Sequence, residues 1–325
     1  MSRNRIYKIT GAVATVFLLL VLAPKFLPEM KIHLATEIMI FALFAVSFNL
    51  LYGYGGMLAF GFAAFFGFGA YATALIISRI PAMPLLLTLA IAALSGFVMA
   101  LLIGPLAVRL KGTYFALITF AFQMFLYAIA LKWRDVTNGD DGIGIARPDL
   151  YLPFLGNLSM AEISNLYYVT LALVALGIIA CYLFLKTPLG NSIMCIRDND
   201  VRSSFLGYSV YLTKVTVFCL SGFLAGLAGG LFVLFNEFVA TNCIDLSMSF
   251  LVVLMALVGG TGQFLGPILG AAFYITFQDW VSSLTQRWWL FIGALYVVVI
   301  LYIPDGLISL FKSERIRLFG NRKRG

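Results

Sequence analysis

The sequence predicts an all-α fold, a polytopic transmembrane helical bundle, and three observations carry that prediction. Of the 325 residues, 62% are hydrophobic and only 11% are charged, whereas a soluble domain carries about 25% charged residues. The apolar residues gather in blocks of roughly 20, the length of helix that crosses about 30 Å of hydrocarbon. Those blocks lack the period-two alternation that a membrane β-barrel requires. The longest polar stretch, 132–165, is too short for a separate catalytic domain, so 1–325 reads as a single transmembrane domain.

About ten membrane segments follow in order, some of them short or broken by glycine. Ile9–Leu27 comes after Arg3, Arg5 and Lys8 and resembles a signal sequence. Pro24, Lys25 and Phe26 stand where a small-x-small cleavage site would be, so it reads as an uncleaved first span. Thr36–Tyr52 and Met57–Ser78 flank the glycines at 53–56. Leu85–Val108 and Thr113–Leu131 flank Arg109 and Lys111. Leu166–Leu185 and Tyr211–Phe235 flank a polar island. Ser247–Val258 and Leu265–Val281 flank the glycines at 259–262, and Trp288–Ile303 precedes a basic tail at 304–325.

Charge tests this order, because Lys and Arg concentrate in cytoplasmic loops. With both termini cytoplasmic, Arg109, Lys111, the island and the tail cations (Lys312, Arg315, Arg317, Arg322, Lys323, Arg324) all fall inside. The acidic loop 132–165 then falls outside. Merging Thr36–Ser78 into one span reverses that pattern, so two segments are expected there. A re-entrant hairpin in their place keeps the same parity. Tyr7, Tyr52, Trp133, Tyr167, Tyr168, Trp280, Trp288 and Trp289 mark headgroup depth, where amphipathic rings settle.

Composition excludes several functions. The net charge of +8 sits at the termini and short loops, where topology accounts for it, so no nucleic-acid partner is expected. Cys181, Cys195, Cys219 and Cys243 are scattered and read as small hydrophobes. His33 is the one histidine and reads as a solvated helix end; with no cysteine cluster there is no zinc site. No GxxxxGK[ST] motif is present for phosphate binding. No catalytic residue, metal or cofactor is therefore expected in this chain, and it does not read as an enzyme. The turn Thr137–Pro148, TNGDDGIGIARP, lacks the alternate acidic positions of a calcium loop and reads as a surface turn that meets an outer partner.

Two glycine clusters interrupt the apolar pattern. Gly53, Gly55 and Gly56 are too dense for helix packing and predict a break; Gly61, Gly67 and Gly69 suit close packing. Gly259, Gly260 and Gly262 break the second pair, and Pro267 restarts a helix. Matched interruptions in two halves point to a substrate pathway in repeat-built transporters, although the internal similarity is weak. Asn49, Gly55, Gly56, Gln123, Gly259 and Gly260 are the candidate pathway residues. Polar residues such as Asn49 and Gln123 are more often helix–helix hydrogen-bonding groups than substrate contacts. Glu37, Glu237 and Asp279 all lie near span ends, so an ion-coupling group at mid-membrane is not evident.

The island between Lys186 and Val210 is long enough for a short helix. On a helical wheel Ile193, Val201, Phe205 and Tyr208 share one arc, with Arg197 intruding. A helix lying on lipid headgroups is rich in Lys and Arg. Here the charges balance (Arg197, Asp198, Asp200, Arg202), which favours seating in a cytoplasmic protein.

The matching pieces are GYGGMLAFGFAAFFGFGAYATAL (53–75), LKGTYFALITFAF (110–122), TNGDDGI (137–143), LGNSIMCIRDNDVRSSFLGYSV (189–210), FLAGLAGGLF (223–232) and GGTGQFLGPILGAA (259–272). In that order they resemble the membrane permeases of ABC importers for branched-chain amino acids, the LivM-like subunits, and their relatives for urea and short amides. The resemblance implies a permease paired with a second related permease in a bacterial-type inner membrane. It further implies two cytoplasmic ATPase subunits that hydrolyse ATP and an extracytoplasmic substrate-binding protein. It maps a coupling element onto Gly190–Tyr208, with Arg197, Asp198, Asp200, Arg202, Phe205 and Gly207 as coupling residues. The Glu-Ala-Ala pattern common in importer permeases is replaced by Asp200-Val201-Arg202-Ser203-Ser204. Branched-chain or other hydrophobic amino acids are the expected substrates, with urea, short amides and small aromatic acids as alternatives. A passive channel or secondary carrier is the competing class, and an assembly protein is a third.

Overall fold

A computed structural model describes residues 20–22, 24–25, 28–80, 83–152, 156–302 and 306–311. Most of the first predicted span, Ile9–Leu27, and the basic-tail cations lie outside the described residues, and so does the placement of both termini.

From Thr36 onward every predicted segment has its helix. They are α1 (Glu29–Asn49), α2 (Ala63–Arg79), α3 (Leu85–Ala107), α4 (Thr113–Lys132), α5 (Ile163–Lys186), α8 (Val210–Asn236), α9 (Leu246–Gly259), α10 (Gly266–Leu284) and α11 (Trp288–Tyr302). The polar island forms α6 (Pro188–Asp198) and α7 (Asp200–Phe205). Among the described residues, 6 helical stretches are long and apolar enough to cross a membrane: Glu29–Tyr54, Leu85–Ala107, Thr113–Lys132, Ile163–Lys186, Val210–Asn236 and Thr241–Gly259. Ala63–Arg79 is apolar but shorter. α1 and α2 are separate helices, as the charge pattern requires, and α1 runs on through a π-helical turn, Leu50–Tyr54.

The described residues are mostly helical, as expected, with short paired strands in the loops. Among the described residues four short strands occur, Ile143–Gly144, Leu150–Leu152, Gly156–Leu158 and Phe238–Val239. The first pairs antiparallel with the last, Ile143 opposite Val239, and the middle two pair with each other. Outside the hydrocarbon a loop has no helical length to satisfy, so these segments meet their backbone polar groups by pairing.

The central helix is α8, which packs on α3 and α2. Its close approach follows from spacing. Gly222, Gly226 and Gly230 recur every four residues and face Ala92, Gly96 and Ala100 of α3. A Cβ on Gly226 would lie 2.6 Å from the Ala92 carbonyl oxygen and 3.0 Å from the Gly96 Cα. Between membrane helices there is no hydrophobic drive, so backbone proximity of this kind supplies the association. A phenylalanine cluster fills the space beside it, with ring centroids 4.5 Å apart for Phe44–Phe66, 5.3 Å for Phe48–Phe62 and 5.2 Å for Phe65–Phe218.

α8 spans roughly 40 Å at 1.5 Å per residue and joins two chemically different ends. At its start Lys214 meets Asp200, and Tyr211 donates to the Pro105 carbonyl (3.2 Å) beside Arg109. At its end Arg147 donates to the carbonyls of Leu234 (2.7 Å) and Phe235 (2.9 Å) and pairs with Glu237 at 3.0 Å. Arg147 thereby satisfies carbonyls that a helix C-terminus leaves open. The TNGDDG turn is held at this same end, where Thr241 donates to Asp140 (2.9 Å). His33 is half-buried and packs edge-on against Phe235, with centroids 5.3 Å apart. Tyr167 and Tyr168 donate to the carbonyls of Leu20 (2.7 Å) and Val21 (3.2 Å).

Candidate functional site

α6 starts where Thr187 precedes Pro188. The threonine side chain accepts from Gly190 N–H (3.2 Å), and Pro188 occupies the first turn, where no N–H is needed. Ile193 and Ile196 are buried, which seats α6 on the bundle. α7 starts at Asn199, an extended residue whose side chain accepts from Arg202 N–H (2.9 Å). α7 ends in a Schellman turn: Gly207 donates to the Ser204 carbonyl (3.0 Å) and Tyr208 to the Ser203 carbonyl (3.2 Å). Gly207 adopts φ +87°, and a Cβ there would meet nothing within 4 Å.

The break at Asn199 corrects the single-helix reading of the island. Ile193 and Phe205 do not share a face. Ile193 points into the bundle, whereas Phe205 (86%), Leu206 (70%) and Val201 (60%) are exposed. Asp198 and Arg202 are exposed around them. The result is a small apolar knob with a charged rim, presented on a capped helix.

Asp200 fixes that knob to the bundle. Its carboxylate lies 2.9 Å from Lys214 Nζ and 3.2 Å from Lys111 Nζ. Partial burial pushes the Asp200 carboxyl up, but hydrogen bonds and charge from Lys214 and Lys111 outweigh it and hold the group below its ordinary range. Lys214 is largely buried and Lys111 exposed, so the Lys214 pair is the firmer of the two. A shallow cleft of about 320 Å³ beside this cluster is lined by Arg109, Lys111, Asp200, Tyr211 and Lys214.

Arg197 is exposed, as Asp198 and Arg202 are, but like Asp200 it also reaches the bundle. Its guanidinium donates to the carbonyl of Gly53, at the π-helical turn. The backbone bonds closing that turn fall on Leu51 and Tyr52: Met57 donates to the Leu51 carbonyl (3.1 Å) and Gly56 to the Tyr52 carbonyl (2.9 Å). The second glycine break reaches the same place. Buried Asn49 accepts from Gly262 N–H and donates to the Gln263 carbonyl, both at 3.1 Å. Among the candidate pathway residues, Asn49 thus meets the loop that Gly259 and Gly260 begin, whereas Gly56 abuts Arg197 and Gly55 faces its own turn at Leu51.

Gln123 is not part of that junction. It donates to the Ile244 carbonyl (2.6 Å) and accepts from Ser249 (3.0 Å), which in turn accepts from Ala63 N–H (2.9 Å). This buried chain ties α4, α9 and α2 together near the start of α9. Gly259 lies at the other end of α9, roughly 15 Å along its axis. Among the described residues no group of three or more His, Cys, Asp or Glu side chains converges on a metal position.

Sequence reasoning passed over Asn199, Lys111, Lys214 and Ser249. Asn199 carries a readable signal, an Asn just before a helical stretch. The others act across long sequence separations, and nothing local announces them.

Residues 30–301 match the family described as branched-chain amino acid transport system, permease component. The chain is 28% identical over 318 residues to the high-affinity branched-chain amino acid transport system permease protein LivM of Escherichia coli, covering 91% of this chain and 75% of that protein. It is 27% identical to the guanosine ABC transporter permease protein NupQ of Bacillus subtilis over 40% of each chain. To the autoinducer 2 import system permease protein LsrC of Klebsiella pneumoniae it is 31% identical, over 48% of this chain and 46% of that one. No solved structure matches. The helices and the family together place the chain in the inner (plasma) membrane as a multi-pass protein. It belongs to the family of permease components of branched-chain amino acid transport systems, and is a permease component of an ABC transporter.

Proposed function

We propose that this chain is the membrane-spanning subunit of an ATP-driven importer for branched-chain or other hydrophobic amino acids, coupled to a separate ATPase through residues 190–208. The observation that carries the coupling is the exposed Phe205–Leu206–Val201 knob on a helix capped by Asn199, closed by Gly207 and anchored through Asp200. A large apolar group rimmed by charge, with its helix already ordered, suits seating in a groove of a folded partner. Asp198 and Arg202 form the rim that fixes register, and lipid bathes the other exposed apolar surface.

In this reading the end carrying Lys111, Lys214 and α7 is cytoplasmic, as the positive-inside rule favours. The end carrying Asp140, Arg147 and Glu237 is extracytoplasmic, where the TNGDDG turn receives a substrate-binding protein. The subunit works beside a second, related permease. It holds no cofactor of its own, and ATP is hydrolysed by the partner subunits. The junction of Asn49, Gly55, Gly56, Gly259 and Gly260 forms the inner part of the pathway. Hydrophobic amino acids are favoured as substrates by the long match to LivM; relatives named for guanosine and autoinducer 2 match over less than half their length.

The test is to tag the chain, purify it in mild detergent from its native membrane and identify what accompanies it. A stoichiometric P-loop ATPase and a second permease are the expected companions. A stable, monodisperse chain recovered alone contradicts the reading.

A further inference from the structure

We infer that Arg197 is a positioning residue that transmits movement of the docking helices to the junction of the two glycine breaks, rather than a contact for the ATPase. The inference rests on the importer reading above.

Three observations support it. First, Arg197 belongs to the last turn of α6, which leads directly into α7 through Asn199. α6 is held to the bundle by Ile193 and Ile196, so α7 displaced by a partner pivots about a seated helix. Second, the guanidinium donates to the Gly53 carbonyl, inside the π-turn that the first glycine cluster forms. Third, both breaks close on the arginine. A Cβ on Gly56 would lie 3.1 Å from Arg197 Cγ, and one on Gly262 would lie 3.2 Å from Arg197 Nη1 and 3.4 Å from the Gly53 oxygen. Gly56 and Gly262 also adopt φ +67° and +75°. Only glycine lets the backbone approach the side chain this closely in those conformations.

The two breaks are already locked to each other, because Asn49 bonds both Gly262 N–H and the Gln263 carbonyl. One arginine therefore bears on both at once. Among the described residues no carboxylate lies within ion-pair distance of Arg197. Its guanidinium, on an exposed residue, donates to the Gly53 carbonyl rather than to an acid that would hold it in one position. A junction fastened by one side chain at the base of the docking element moves with that element or separates from it. Either change alters the backbone around Asn49, Gly53 and Gly262 without any contact between the ATPase and the pathway.

The test uses the complete transporter complex purified from its native membrane and reconstituted in liposomes. Arg197→Ala and Arg197→Lys are compared with the unaltered complex for ATPase retained on the complex, ATP hydrolysed, and leucine accumulated. Arg197→Ala is expected to keep its ATPase subunits while leucine accumulated per ATP falls by about tenfold or more, within the usual range for coupling between sites. Arg197→Lys keeps the charge and the alkyl stem against Gly56 and is expected to recover part of the ratio. Should the alanine variant fail to assemble, the lysine variant alone decides, through a lowered ratio at full ATPase occupancy. An unchanged ratio in either assembled variant overturns the transmission role and leaves the importer reading standing. Loss of the ATPase from the lysine variant makes Arg197 a docking contact and also overturns it. Leucine uptake by the unaltered chain without ATP or ATPase removes the importer reading, and the transmission role with it.

Discussion

Arg197 and Gly53 stand 144 residues apart in the chain, yet the guanidinium of the first donates to the carbonyl of the second. That bond joins the end of α6 to a π-helical turn that closes α1. Beside it Asn49 joins the same turn to the loop after α9. The elements named as separate features of the sequence, a polar island and two glycine clusters, form one connected region.

The Schellman turn at Gly207 makes that residue a sensitive point. Proline there can neither adopt φ +87° nor donate to the Ser204 carbonyl, at a cost of about 3 kcal/mol or more to the end of α7. Gly207→Pro is expected to insert at normal levels and lose uptake. Gly207→Ala meets no steric obstacle and costs about 1–2 kcal/mol for the left-handed conformation, so a partial loss is expected. Membrane abundance and leucine uptake, measured together in whole cells, check both.

Asp200 gives α7 a pH dependence. Its carboxyl is held below the ordinary value of 3.8 in the folded chain. A group depressed in this way contributes stability that is present above the unfolded value and lost as pH falls through the folded one. Amide exchange over 199–214, corrected for intrinsic rates, should therefore be level from pH 7 down to about 5 and rise progressively below it. Asp200→Asn should exchange faster throughout and show no such step. A rise between pH 5 and 7 in the unaltered chain would refute the anchoring role.

Gly226→Val places a branched side chain where the Ala92 carbonyl and Gly96 Cα leave no room. Neither obstacle is a flexible side chain, so the cost should reach the upper part of the about 1–3 kcal/mol range of overpacking. Gly293→Val is the control, because a Cβ there meets nothing within 4 Å. Thermal unfolding in detergent should separate the two variants by several degrees, with Gly226→Val the lower.

The Gln123–Ser249 pair should behave as one unit. Gln123→Leu strands the Ile244 carbonyl and the Ser249 hydroxyl, for a loss of about 1–3 kcal/mol. A double-mutant cycle with Ser249→Ala is expected to return a coupling of about 0.6–1.7 kcal/mol, as for interhelical hydrogen bonds in membranes. Leucine uptake should fall no further than stability does. A selective loss of uptake would instead put Gln123 on the pathway.

Much of the fold is legible in the chain because lipid imposes helix and length on apolar blocks. The segments Leu85–Val108 and Thr113–Leu131 match α3 and α4 to within one residue at each end. The breaks at Gly53–Gly56 and Gly259–Gly262 are legible for a related reason: dense glycine does not sustain a buried helix. The island is less so. Its helical wheel treats 193–208 as continuous, while Asn199 prefers to cap and resets the phase, so Ile193 turns inward and Phe205 outward. The meeting of Asn49 with Gly262, and of Asp200 with Lys111 and Lys214, is a product of packing. No period or motif within either segment encodes it.

The central claim is that transport by this chain is driven through the α6–α7 element by a separate ATPase. It is tested most directly by leucine uptake into liposomes containing the purified complex, with ATP inside or absent, for the unaltered chain and for Phe205→Asp. Phe205 is almost fully exposed, so its replacement should leave the fold intact. The account predicts accumulation only with ATP, and its loss in Phe205→Asp together with loss of the ATPase from the complex. Equal uptake with and without ATP, or full ATP-driven uptake by Phe205→Asp, would contradict it.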